Sequence, residues 1–194
     1  MKTMETLAEE LHLDSHLSLE DIPDLNLYMD QVIQLFERKF ADTKRNEDEK
    51  VLTKTMINNY AKGKLFFPVE NKRYSKEHLI LISMIYQMKG ALSINDVKTV
   101  LARLNEKITN DEGFDIQELY TCYLQMVSSN TEKFKADLQD HHHEASEAIR
   151  KLEDKDEEYL EQLMLIAMFT NMSNYYRRAA EKLVDELGAD QETK

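Results

Sequence analysis

The 194 residues suit one or two domains with a real core, and an apolar content of 42% is too high for a disordered chain. Gly and Pro are scarce, at four and two residues, while good helix formers fill most of the chain, which favours an all-α fold over a sheet-rich one. The net charge is −12, but residues 44–89 carry ten positive and five negative side chains, so a basic segment lies within an acidic protein.

The cysteine content and the N-terminus indicate a soluble, cytoplasmic protein. Cys122 is the only cysteine, so no disulfide can form within the chain, which suits a reducing compartment. The first residues, MKTMETLAEELHLDSHL, lack the apolar run of a signal peptide. The longest uninterrupted apolar run, Leu163 to Phe169, is far shorter than the about 20 residues that cross a bilayer. We therefore expect no membrane association.

The N-terminal part predicts a short helix or a loose arm over residues 1–17 and a turn at Ser18 to Asn26 around Pro23. A helix from about Leu27 to Ala41 should follow, because its apolar residues recur every three or four positions. Its predicted apolar face contains Tyr28, Val32, Leu35, Phe36 and Phe40. A polar loop over residues 41–50 then precedes the basic segment.

A second helix, from about Thr53 to Lys62, is short and has two different faces. Thr53 suits its N-cap, and Gly63 stands where a C-terminal cap belongs. The predicted buried stripe contains Met56, Ile57 and Tyr60. The opposite face carries small polar and cationic side chains instead.

A short wing is predicted over residues 66–74. Pro68 interrupts helix formation, and Leu65–Phe67 and Arg73–Tyr74 suit two extended legs, so the wing has at most two minimal strands. Helices should follow at residues 76–89 and 94–104, each preceded by a Ser that suits an N-cap. Residues 18–104 are thus predicted to form a winged helix-turn-helix domain.

The remaining chain predicts a polar linker at residues 105–112 and a helical region at residues 113–194. Two long helices, at about 114–152 and 159–187, should form a hairpin, with a kink or break at residues 128–130 and a stop at Gly188. The sequence LMLIAMF is apolar all round, which favours burial on several sides. We expect this region to form a homodimer and to be the place for a small-molecule effector, which the sequence does not name.

The helix over residues 53–62 and the wing together predict a DNA-reading surface. Asn pairs with adenine in the major groove, Thr contacts bases or phosphates, and Lys reaches phosphate or guanine. The candidate DNA-binding residues are Lys50, Thr53, Lys54, Thr55, Asn58, Asn59, Lys62, Lys72, Arg73 and Tyr74. The function expected from them is a DNA-binding transcriptional regulator whose partner is double-stranded DNA.

The same segment resembles the DNA-binding module of the MerR-type regulators. That family carries a Val-Ser-x-x-Thr-Leu-Arg-Tyr-Tyr-Glu helix, a Gly-Leu-Leu-x-Pro turn and a wing that ends in Arg-Tyr-Tyr-Ser. The matching positions are Leu52, Thr53, Ile57, Tyr60, Leu65, Pro68, Tyr74 and Ser75. Asn58 and Asn59 stand where the family has Arg-Tyr. The resemblance implies a winged helix-turn-helix that binds DNA.

A wider resemblance runs from about Asp21 to Leu104. There the chain is similar to a family of bacterial proteins that share a domain of unknown function. The shared signature includes Asp-Ile-Pro-Asp, Lys-Arg-Asn-Glu-Asp, Leu-Thr-Lys-Thr-Met-Ile-Asn-Asn-Tyr and Tyr-Ser-Lys-Glu-His. This resemblance implies a family without implying an activity.

Other functions have weaker support in the sequence. No nucleophile elbow, phosphate loop or paired ligand motif is present, so we expect neither an enzyme nor a cofactor. Three adjacent residues, His141 to His143, point about 100° apart on a helix and cannot converge on one metal ion. The main alternative is a helical protein-interaction module that uses the helix-turn-helix only as a scaffold, which the net charge of −12 favours. The sequence does not specify an operator, the regulated genes, or activation against repression.

Overall fold

A computed structural model describes residues 3–110 and 113–192 of the chain. Its helices are α1 Met4–Glu10, α2 Met29–Phe40, α3 Lys54–Lys62, α4 Lys76–Met88, α5 Ile94–Asn110, α6 Ile116–Arg150 and α7 Glu157–Glu192, with a 3-10 turn at Ala41–Thr43. Two short strands, β1 Leu27–Tyr28 and β2 Arg73–Tyr74, pair antiparallel. The predicted all-α class with a minimal two-stranded sheet is confirmed.

The chain forms two compact units. One, which we call the α4 unit, contains Ser15–Leu124 and Ala180–Lys194. The other, the hairpin unit, contains Met1–Asp14 and Gln125–Ala179. The long helices α6 and α7 each run through both units, so these units do not follow the predicted division into residues 18–104 and 113–194.

The core of the α4 unit surrounds α4, which is apolar on nearly all sides. The run from Leu79 to Ser83 is buried without interruption, as is Ile85. The amphipathic helices α2, α3 and α5 each contribute one apolar face to the same core. Burial of these apolar stripes supplies the main stabilising free energy of such a unit.

A buried hydroxyl connects three segments of the α4 unit. Tyr120 of α6 donates its phenolic hydrogen to the carbonyl of Leu17 at 2.7 Å and accepts a hydrogen bond from Ser83 at 2.9 Å. Burial raises the pKa of Tyr120 to about 12, so the hydroxyl stays protonated. This connection explains why the first turns of α6 belong to the α4 unit.

The predicted linker at residues 105–112 is corrected by the structure. Residues 105–110 are the last part of α5, and residues 111 and 112 lie outside the described residues. Ile108 packs against the core, and the Asn105 side-chain amide donates to the carbonyl of Leu65 at 3.0 Å. The polar character of this stretch reflects the outer face of a helix.

Three expectations for the C-terminal helices also change. Residues 128–130 do not interrupt the helix, since α6 is continuous over 35 residues. Gly188 does not end α7, which continues to Glu192. In the sequence LMLIAMF, Leu165 is buried, but Leu163 and Ile166 are 48% and 58% exposed. One side of α7 therefore packs inward while the other presents apolar side chains to solvent.

Candidate nucleic-acid interface

Helix α3 is held by a side-chain cap at its start and two buried residues in its centre. The backbone N–H of Met56 donates to the Thr53 hydroxyl at 3.2 Å, which confirms Thr53 as the N-cap. Ile57 and Tyr60 are buried in the core. The rest of the helix surface is left to polar side chains.

The C-terminal end of α3 turns sharply back into the core. The backbone N–H of Leu65 donates to the Tyr60 carbonyl at 3.0 Å, and that of Lys64 donates to the Ala61 carbonyl at 3.1 Å. This is a Schellman motif in which Gly63 is the C-cap, as predicted, and the following residue, Lys64, is left-handed with φ of 59°. Gly63 serves a different purpose, because a Cβ there would lie 2.7 Å from Leu65 Cδ1.

The wing is a tight turn followed by strand β2, and β2 pairs with a strand from outside the wing. The backbone N–H of Arg73 donates to the Glu70 carbonyl at 2.8 Å, and Asn71 and Lys72 both have positive φ, at 48° and 58°. These values fit a type I′ turn. Of the two predicted extended legs, Arg73–Tyr74 forms strand β2, whereas residues 65–67 form no strand.

Strand β2 pairs with β1 instead, in the register Tyr28↔Arg73 and Leu27↔Tyr74. The Arg73 guanidinium lies 4.8 Å from the centroid of the Tyr28 ring and donates to its hydroxyl at 3.0 Å. The stacked ring restricts the otherwise flexible Arg73 side chain. Tyr28, predicted to lie on the apolar face of a helix, lies instead in β1 and is half exposed.

The start of α2 connects the wing to α3. Tyr28 contacts Arg73 of the wing, and two residues later Asp30 forms an ion pair of 2.8 Å with Lys54, the first residue of α3. The wing and the N-terminal end of α3 therefore lie on either side of the same short segment. Asp30 also offsets the charge of Lys54, although both side chains are two-thirds exposed and the pair contributes little to stability.

A buried histidine fixes both ends of the wing. The backbone N–H of Ser75 donates to His78 Nδ1 at 3.2 Å, so Nε2 carries the hydrogen and donates to the Phe67 carbonyl at 3.1 Å. Aromatic rings of Phe66, Phe67 and Tyr74 surround the imidazole. Burial lowers the pKa of His78, which favours the neutral form that makes both hydrogen bonds. Sequence reasoning did not single out this residue.

Most of the predicted DNA-binding residues are exposed on these elements. They are Lys50, Lys54, Thr55, Asn58, Asn59, Lys62, Lys72 and Arg73. Thr53 is half-buried and its oxygen serves the cap. The prediction that Tyr74 contacts DNA is wrong, because Tyr74 is only 3% exposed and packs edge-to-face against Phe66. It supports the base of the wing and cannot contact a partner.

Ion pairs reduce the local positive charge of residues 44–89. Lys44 pairs with Glu37, and Lys76 pairs with Asp24 at 2.7 Å, which lowers the pKa of Asp24. Neither of these two pairs contains a residue of α3, whereas Lys54 of α3 pairs with Asp30. The exposed cations Lys50, Lys62 and Lys72 remain the main positive groups of the candidate interface.

The hairpin unit contains a separate cleft of about 400 Å³ between α6 and α7. Its lining includes three aromatic rings, those of Phe134, Phe169 and Tyr176, together with the polar side chains of Lys133 and Asp137. The volume falls within the range of small-molecule sites in proteins.

None of the helices among the described residues combines the length and the apolar content that crossing a bilayer requires. Across residues 3–110 and 113–192, no three His, Cys, Asp or Glu side chains converge as a metal site would need.

Comparison with known proteins gives one match. Residues 17–123 match the family described as a domain of unknown function (DUF1836). No curated protein and no solved structure matches the chain. The resemblance to MerR-type regulators stays a prediction. Because the match to the DUF1836 family covers more than half of the 194 residues, the protein belongs to that family.

Proposed function

We propose that the α4 unit binds double-stranded DNA, with α3 in the major groove and the turn Glu70–Arg73 against the sugar-phosphate backbone. The observation that carries this proposal is the outer face of α3, which is polar and exposed while its inner face is buried. The nine-residue helix α3 is about 14 Å long, and the major groove, about 12 Å wide, admits the diameter of an α-helix.

The side chains on that face suit base and phosphate contacts. Asn58 and Asn59 can each donate and accept towards the N6 and N7 atoms of adenine. Thr55 suits a base edge or a phosphate, and Lys62 suits a phosphate. Lys72 at the turn, beside an Arg73 ordered by Tyr28, suits the backbone of the next groove.

The net charge of −12 restricts how the protein can approach DNA. The rest of the surface repels phosphate, so only the basic face is attracted at short range. This favours one docking orientation. We propose that a homodimer formed through the C-terminal helices acts as a transcriptional regulator that reads two half-sites.

Genomic-fragment selection with the purified full chain at about 0.1 M salt tests the proposal, followed by fluorescence anisotropy on the enriched fragments. A palindromic fragment bound far more tightly than competitor DNA is the expected result. If no fragment is enriched by a folded, helical sample, DNA binding without an inducer is refuted, and small ligands of the α6–α7 cleft become the next addition.

Substitution of the two asparagines tests base reading. Asn58→Ala or Asn59→Ala should reduce discrimination between the selected site and a mutated site by about 1–3 kcal/mol. Asn171→Ala is the matched control, since Asn171 is an exposed asparagine on α7. Discrimination equal to that of the wild type in both α3 variants would contradict the assignment.

A lysine substitution tests phosphate contact separately. Lys62→Ala should weaken binding to all DNA sequences alike and reduce the slope of log affinity against log salt by about one unit. Lys98→Ala on α5, another exposed lysine, should leave that slope unchanged. A slope that stays the same in Lys62→Ala would remove α3 from the interface.

The second candidate function is a protein-interaction module. The observation that favours it is the exposed apolar side of α7, where Leu163 and Ile166 face solvent. Large exposed apolar groups of this kind usually mark a docking surface for another protein. This candidate gains support if the purified protein fails the DNA selection and yet binds another protein through α7.

A further inference from the structure

The cleft between α6 and α7 lies within the hairpin unit and suits a small ligand with an aromatic ring. Its volume of about 400 Å³ is near the lower end of the range for small-molecule sites. Part of its wall is well packed, because Leu138 is buried and Phe169 packs against the cluster that Leu138 forms with Met4 of α1. The rings of Phe134 and Tyr176 also line the cleft and are 38% and 69% exposed. A bound aromatic ring would cover them in a favourable ring-to-ring contact.

Three polar side chains of α6 line the same cleft at intervals of four residues, namely Lys133, Asp137 and His141. Residues at this spacing share one helix face and lie about 6 Å apart along the axis. Among the described residues, neither Lys133 nor Asp137 has an ion-pair partner. A cation that precedes an anion by four residues is the less favourable order for a pair within one helix. Both charges are therefore available to a ligand.

The third of these side chains has a buried atom without a hydrogen bond. His141 Nδ1 is buried and has no hydrogen-bond partner among the described residues. The Glu144 carboxylate lies 3.6 Å from it, which is beyond hydrogen-bonding distance. The imidazole packs edge-to-face against Phe169, with 6.1 Å between the ring centroids. In a neutral imidazole with its hydrogen on Nε2, Nδ1 accepts, so a ligand with an N–H or O–H on its ring would supply the missing donor.

We propose that the α6–α7 cleft binds an aromatic α-amino acid whose ring carries an N–H or O–H group, as in tryptophan. The ligand carboxylate pairs with Lys133, its ammonium group with Asp137, and its ring donor with His141 Nδ1. An aromatic acid or an aromatic amine would leave one of the two charges without a partner. None of the proposed DNA-binding residues lines the cleft, so ligand binding goes beyond the proposed function and is measured without DNA.

Titration of L-tryptophan with the full chain tests the site. The chain contains no Trp, so the indole fluorescence comes from the ligand alone. Its anisotropy should rise to saturation at one molecule per chain. Tryptamine, which lacks the carboxylate, and indole-3-propionate, which lacks the ammonium group, should each bind about tenfold more weakly, because a charge-assisted hydrogen bond is lost. If the anisotropy does not rise with up to about 1 mM chain, the affinity is too weak for a specific site and the proposal is overturned.

Two substitutions that remove charge should give a crossed pattern that a loss of folding cannot produce. Lys133→Met should weaken L-tryptophan about tenfold and leave tryptamine unchanged, because tryptamine has no carboxylate. Asp137→Asn should weaken L-tryptophan about tenfold and leave indole-3-propionate unchanged. Lys151→Met is the matched control, because Lys151 is exposed in the same unit and does not line the cleft. Equal effects on all three ligands, or no effect on any, overturn the assignment of the two charges.

Methylation of the indole nitrogen tests His141. Wild type should bind 1-methyl-L-tryptophan about fivefold more weakly than L-tryptophan, because the methyl group removes the ring donor. In His141→Phe, which has no acceptor, the two ligands should bind equally. A difference that persists in His141→Phe would come from the size of the methyl group and would remove His141 from the site.

Discussion

Lowering the pH from 7.5 to 5.5 should destabilise the base of the wing through His78. The neutral imidazole accepts from the Ser75 N–H and donates to the Phe67 carbonyl. A protonated ring carries hydrogens on both nitrogens, so Ser75 loses its acceptor and a charge is placed among aromatic rings. Acidification therefore weakens the hydrogen bonds of His78 that hold both ends of the wing.

The sign and size of the effect follow from the lowered pKa of His78, which burial causes. The unfolded chain, with an ordinary histidine pKa of 6.5, takes up a proton that the folded chain resists. Stability is fully present above pH 6.5 and falls as the pH drops towards the lower folded pKa. At pH 5.5 the loss reaches up to about 1.4 kcal/mol, the value for one pH unit below 6.5.

Urea denaturation followed by circular dichroism at several pH values measures this loss. His78→Gln keeps an acceptor and a donor but stays neutral, so the variant isolates the histidine from the other titrating groups. Wild type should lose up to about 1.4 kcal/mol more than His78→Gln between pH 7.5 and 5.5. Parallel pH profiles for the two proteins would refute the role assigned to His78.

Three further substitutions test the scaffold of the interface by the same denaturation assay. Tyr120→Phe leaves the Leu17 carbonyl and the Ser83 hydroxyl without their partner and should cost about 2–4 kcal/mol, and adding Ser83→Ala should recover part of that cost. Gly63→Ala should cost about 1–3 kcal/mol, because the added methyl would meet Leu65 at 2.7 Å. Lys64→Gly should be neutral or stabilising by up to about 1 kcal/mol, since Gly tolerates a φ of 59° better than Lys.

Local patterns in the sequence were sufficient to predict the helices of the α4 unit. The apolar residues of α2 recur at helical spacing, and Thr53 and Gly63 bracket α3 closely. These patterns involve residues within four positions of each other, so they can be seen in the amino-acid sequence without knowledge of the tertiary structure. The exposed face with Asn58 and Asn59 follows directly, because Ile57 and Tyr60 occupy the opposite side.

The wing could not be predicted in the same way. Its strand partner, Leu27–Tyr28, lies 45 residues before Arg73, and no local pattern indicates which extended pair meets which. The turn residues Asn71 and Lys72 both adopt positive φ, and a Lys at such a position gives no turn signal. The sequence therefore predicts Tyr74 as an exposed DNA-binding residue, although its strand pairing with Leu27 places it in the core.

The long helices show where apolar content alone misleads. LMLIAMF predicted burial on several sides, but α7 has a neighbour on only part of its surface within the hairpin unit, so Leu163 and Ile166 are exposed. At residues 105–110 the prediction failed in the opposite direction. Their polar side chains predicted a linker, but this stretch is the end of α5, where Ile108, like Leu104 before it, packs against the core. Both errors arise because sequence periodicity shows a face and does not show what covers it.

Base reading by α3 and the proposed homodimer are linked through the size of the free energy of DNA discrimination. One α3 offers two asparagines for base contacts, and at about 1–3 kcal/mol each they supply about 2–6 kcal/mol of discrimination. Specific regulators discriminate by about 4–10 kcal/mol, so a single copy reaches only the lower part of that range. The proposed homodimer, formed through the C-terminal helices, doubles the contacts. Ile166→Glu should therefore leave binding to a half-site unchanged and remove the preference for a palindrome, while Asn58→Ala should weaken both.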